Sequence, residues 1–113
     1  MEKFNIYDHI EYGENKVKIS PMLETAFSKE IRIVFKKDQI MKDHKTGFPI
    51  TVEIFEGSID FGVDDKIYPL VKGDIVSLDA NVMHNLKANE DSIVRLTLSK
   101  NDSLFRVQSV LKL

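Results

Sequence analysis

Five turn signals cut the second half of this chain into apolar runs too short for helices. The breaks fall at Glu56-Gly57, Asp64-Asp65, Lys72-Gly73-Asp74, Asp79-Ala80-Asn81 and Asn89-Glu90-Asp91, and Gly, Asn and Asp turn a backbone at little cost. Between them the residues alternate. Val52 and Ile54 oppose Thr51, Glu53 and Phe55, and then Ile59, Phe61 and Val63 oppose Ser58, Asp60 and Gly62. Successive side chains of a strand point to opposite faces, so this period of two predicts half-buried antiparallel strands. Ile67 to Val71, Ile75 to Leu78, Val82 to Leu86 and Ile93 to Leu98 continue the pattern. Weaker strand segments precede it at Val17 to Met22, Ile31 to Lys36 and Gln39 to Lys42. Only the tail differs. Asn101 or Asp102 can cap a helix, and Leu104, Val107 and Leu111 share one helical face, which predicts a short C-terminal helix.

Eight or so short strands without helical crossovers must bury their apolar faces against one another, so the fold class is all-β: a sandwich, a jelly roll or a barrel. The 113 residues suffice for a single domain spanning residues 1–113 and exclude a second. With 42% hydrophobic and 30% charged residues, the chain is neither disordered nor fibrous. A formal charge of -2 argues against nucleic acid as a partner. The lack of cysteine removes disulfides, thiolate ligands and a cysteine nucleophile. Apolar runs such as Ile33, Val34, Phe35 fall far short of the about 20 residues that cross a bilayer, so no membrane partner is expected. The chain does not open on a basic segment followed by an apolar one, and the expected location is the cytoplasm.

Two stretches carry a family resemblance. Residues 44–57, from His44 through Thr46, Ile50 and Glu53 to Gly57, resemble the first cupin motif, H-x-H-x3-4-E-x6-G. Counting back from Gly57 puts the motif glutamate at Ile50 and its histidines at His44 and Thr46, so His44 and Gly57 remain. Residues 73–88 resemble the second cupin motif, G-x5-P-x-G-x2-H-x3-N, with Gly73 and His84 in place. There Asp79 replaces the proline, Asn81 the second glycine and Ala88 the asparagine. Asn81 is a mild departure, because asparagine tolerates the left-handed conformation better than other non-glycine residues. The resemblance covers about residues 38–98. It implies a cupin-type double-stranded β-helix, a jelly-roll barrel whose strand interiors converge on one pocket. It also implies a homodimer, and exposed edge strands that need covering agree.

In metal-bearing cupins three histidines and one carboxylate hold a divalent transition metal. This chain offers His44 and His84, with threonine and isoleucine at the other two positions. Isoleucine does not ligate, and a threonine hydroxyl is a poor ligand for such a metal. The expectation is therefore a small-molecule ligand in the barrel, held by His44, Thr46 and His84, with no strongly bound metal or other cofactor. Ile50, Val52, Ile54, Phe61, Val82 and Leu86 are expected to point inward. Two alternatives stand beside this: a metal-dependent oxygenase or isomerase using His44, His84 and one more ligand, and a structural dimerisation module with a filled barrel. Further ligands are scarce. Glu53 and Asp43 have the wrong parity, His9 lies in a segment of unknown position, and Gln39 and Met41 make a poor site. No other catalytic constellation stands out.

Overall fold

Each turn signal marks the end of a strand in the computed structural model, which describes residues 1–100. Nine strands follow in order: β1 (Lys18–Glu24), β2 (Ser28–Phe35), β3 (Ile40–His44), β4 (Ile50–Glu56), β5 (Ser58–Val63), β6 (Lys66–Val71), β7 (Ile75–Leu78), β8 (His84–Ala88) and β9 (Ser92–Ser99). The C-terminal helix expected from Leu104, Val107 and Leu111 lies outside the described residues. Among the described residues, no helix is long and apolar enough to cross a membrane.

The strands form two antiparallel sheets, ordered β1-β2-β9-β4-β7 and β3-β8-β5-β6. Glu56-Gly57 is therefore a corner at which the chain changes sheets, rather than a hairpin within one. Glycine is required there twice over: Gly57 has φ of +95°, and an added Cβ would run into Ser92 and the Asp91 carbonyl. Asn81 has φ of +66°, so the residue standing where the second motif has glycine adopts the left-handed conformation expected of it.

The core lies between the sheets. Ile33, Phe35, Ile50, Val52, Ile54 and Val94 enter from the five-stranded sheet and meet Ile59, Phe61, Leu70, Leu86 and Ala88 from the other. The inward parity expected of Ile50, Val52, Ile54, Phe61 and Leu86 is thus observed. Val82 is the correction: it precedes β8, is half-buried and stands outside the core cluster, because the strand starts only at His84.

Part of the outer face of the five-stranded sheet is covered as well, which the sequence did not announce. Arg32, only 4% exposed, projects from β2 and donates from its guanidinium to the carbonyls of Ile6, Asp8 and His9, with its carbon over the Phe4 ring. Tyr7 adds a hydrogen bond to Glu56 (2.6 Å) and an edge contact with Phe55. The N-terminal segment is thereby strapped across that face, and His9 with it, on the far side of the sheet from the core.

Candidate functional site

His84 opens β8, a strand that pairs with β3 on one side and β5 on the other. Its ring packs in parallel against Phe61, with centroids 5.7 Å apart and 14° between planes, and the residue is 3% exposed. His44 closes β3 directly opposite, and the two imidazole centroids lie 4.2 Å apart. The two histidines singled out from the sequence are brought together.

Each ring is fixed in the same way. His44 Nδ1 lies 2.8 Å from the carbonyl oxygen of Lys42, and His84 Nδ1 lies 2.9 Å from that of Val82. Both partners are two residues upstream. A backbone carbonyl bond on one ring nitrogen sets the orientation of an imidazole and directs its other nitrogen to a ligand. Burial pushes the His84 pKa down, and charge on His44 adds to this. The Val82 carbonyl and the Asp43 carboxylate oppose the shift without reversing it.

Thr46 lies on the loop after β3. Its hydroxyl donates to the carbonyl of Phe48 (2.7 Å), and its own carbonyl accepts from the Asn81 amide (2.7 Å). That second bond stitches the loop of the first motif to the turn of the second. The Thr46 side chain lines a cavity of about 360 Å³ with Phe48, Leu98, Lys29, Ser99 and Lys100, two residues along the chain from His44.

The residues considered as further metal ligands are engaged elsewhere. Glu53 faces outward toward Arg95, and Asp43 accepts a hydrogen bond from Asn85 (2.7 Å). Gln39 bonds the Gly13 carbonyl and the Lys36 amide, while Met41 packs against the core. Ile50, at the motif's carboxylate position, is 4% exposed in the core. His44 and His84 supply two nitrogen donors, and the described residues bring no third His, Cys, Asp or Glu to them. Catalytic zinc sites keep three protein ligands and an open position, so the described donors fall short of such a set.

Known structures share this architecture. An RmlC-like cupin protein from Desulfovibrio desulfuricans superposes with a TM-score of 0.80 over 88% of this chain and 96% of that one, at 20% identity. For an RmlC-like cupin from Shewanella frigidimarina the TM-score is 0.75 over 93% and 96%, also at 20% identity. The chain has the cupin fold. A conserved uncharacterized protein with a double-stranded β-helix domain from Klebsiella pneumoniae agrees, with a TM-score of 0.79 over 91% and 94% at 18% identity. No family profile and no curated protein matches the sequence.

Within this cupin fold the sequence missed a second polar cluster, on the outer face. Glu30 is buried and accepts from Arg95, Thr97 and Ser28. Burial works to raise its pKa, but the hydrogen bonds from Ser28, Thr97 and Arg95 together outweigh it and hold the carboxyl below its ordinary value. With Arg95, Phe4, Ile6, Met22, Leu23 and Phe55 it lines a cavity of about 270 Å³ beneath the N-terminal strap. The one available signal was a glutamate and an arginine, Glu30 and Arg32, alternating with Ile31 and Ile33.

Proposed function

We propose that this protein is a small-molecule-binding module of cupin fold whose site is built on His44 and His84 and needs no strongly held metal. The observation that carries the reading is the imidazole pair itself: two rings 4.2 Å apart, each tied through Nδ1 to a backbone carbonyl, beside the apolar face of Phe61. A few fixed polar atoms against apolar walls are what orient a small ligand. Thr46 is a secondary anchor: its hydroxyl proton is committed to Phe48, which leaves its oxygen as an acceptor. The reading makes no claim of catalysis. The protein acts in the cytoplasm as a homodimer.

An NMR fragment screen tests this. Fragments that bind are expected to shift the resonances of Met41, Phe61 and Leu86 together with both imidazoles. Shifts confined to Phe4, Ile6 and Phe55 would move the site to the outer face and overturn the proposal.

A further inference from the structure

We propose that the His44 and His84 pair selects its ligand by hydrogen-bond polarity, accepting an apolar molecule that ends in a hydroxyl or amino group and refusing the same molecule when it ends in a carboxylate. This rests on the binding reading above and adds the chemical class of the ligand.

The argument begins at the two backbone contacts. A carbonyl oxygen has no hydrogen to give, so Nδ1 of His44 donates to Lys42 and Nδ1 of His84 donates to Val82. A neutral imidazole carries a single N–H, and placing it on Nδ1 leaves Nε2 with only its lone pair. The structure assigns the same tautomer to both rings. No described residue makes a hydrogen bond to either Nε2, so these atoms remain for a ligand. With centroids 4.2 Å apart, both fall within the span of one small molecule.

The pair therefore presents two acceptors and no imidazole donor. A hydroxyl or an amine supplies the missing hydrogen. A carboxylate brings only lone pairs, and seating it beside Phe61 would remove its water without providing a donor from either ring. The charge nearby points the same way: Asp43, one residue before His44, is the carboxylate whose charge is felt at His84. It accepts a hydrogen bond from Asn85 on the other face of the strand. A site whose buried polar atoms match one functional group discriminates strongly against an analogue that leaves them unpaired.

Benzyl alcohol, benzylamine and benzoate share one apolar ring and differ only in the group at issue. At about pH 8, well above the ordinary histidine pKa, and with a chelator present, long-range proton–nitrogen spectra report both the tautomer and the contact. The expected result is a proton on Nδ1 and none on Nε2 in both rings. Binding of the amine then shifts both Nε2 signals, and binding of the alcohol, with its single hydrogen, shifts at least one, at concentrations about tenfold or more below those at which benzoate acts. The alcohol and amine arms separate the two donor types. His84→Gln exchanges a bare acceptor for an amide with donors and is expected to bring benzoate binding closer to that of benzyl alcohol. Benzoate binding at the pair as tightly as the alcohol, or a proton on either Nε2 of the free protein, overturns the polarity inference while leaving the binding site standing. If none of the three probes moves the ring nitrogens of the folded protein, the binding reading fails and the inference falls with it.

Discussion

His44 stands opposite His84 because β3 carries one residue more than β8 between two aligned pairs. Met41 aligns with Leu86 and His44 with His84, so Lys42 and Asp43 together oppose Asn85. In a regular ladder Asp43 would face His84. The surplus residue, a β-bulge, resets the alternation, so that Met41 and His44 both turn toward the core side and Asp43 turns away to Asn85. The bulge also supplies the Lys42 carbonyl that holds the His44 ring. A single surplus residue in one edge strand thus decides whether the site is a pair of imidazoles or an imidazole facing a carboxylate.

The low pKa of His84 links the site to stability. Its folded value lies below the unfolded value of about 6.5. On acidification the unfolded chain takes up the proton first. The contribution of His84 is therefore complete above that pH and is lost as pH falls through the lowered folded value. Urea midpoints measured from about pH 7.5 down to about pH 5.5 should fall more steeply for the wild type than for His84→Gln. Parallel slopes would show that the buried ring does not resist protonation.

Metal content follows from the donor set. Protein purified without added metal should contain well under one equivalent of iron, zinc, manganese or nickel, and a chelator should leave its Tm nearly unchanged. Stoichiometric metal by elemental analysis would instead favour the metal-dependent enzyme. Restoring the motif carboxylate with Ile50→Glu should cost several kcal/mol, because that side chain sits in the core and an unpaired carboxylate there loses its water.

Arg95 holds the buried carboxylate of Glu30 through its Nε and one terminal nitrogen. Arg95→Ala should destabilise the protein by about 1 to 3 kcal/mol, since Glu30 keeps its burial but loses two donors. The half-exposed position of Arg95 favours the lower end of that range. In a Glu30→Gln background the same change should cost clearly less, as equilibrium unfolding of the double-mutant cycle will show. Equal costs in both backgrounds would mean that the pair is not coupled.

The proposed homodimer can be tested at a sheet edge. Among the described residues β1 pairs only with β2, and Ile19 on it is exposed. Light scattering at micromolar concentration should give about twice the chain mass, and Ile19→Lys should shift the protein toward monomer by placing a charge on that edge. A monodisperse monomer before any substitution contradicts the expectation of a homodimer.

Much of this architecture was legible because turn chemistry is local. Glu56-Gly57, Asp64-Asp65 and Lys72-Gly73-Asp74 each end a strand where the sequence puts the break, and Val52, Ile54 and Phe61 fall inward by simple alternation. The site was legible only in part. His44 and His84 were found from their spacing to Gly57 and Gly73, whereas their facing each other depends on the bulge at Lys42-Asp43, and a bulge leaves no mark in the period of a five-residue strand. The outer cluster was hidden for a related reason. Glu30 and Arg32 look like the solvent side of a half-buried strand, and only the N-terminal segment, whose position depends on contacts with Arg32, turns that side into a second interior.

The most direct test of the central claim is the affinity of one barrel-binding fragment for the wild type, His44→Ala and His84→Ala, measured by calorimetry on variants shown by circular dichroism to be folded. Loss of the Val82 hydrogen bond and the Phe61 stack makes His84→Ala less stable by about 1 to 3 kcal/mol, which a cupin barrel of this size should survive. The account predicts that each substitution weakens binding about tenfold or more, corresponding to about 1.4 kcal/mol at each ring. Unchanged affinity in both folded variants would contradict it.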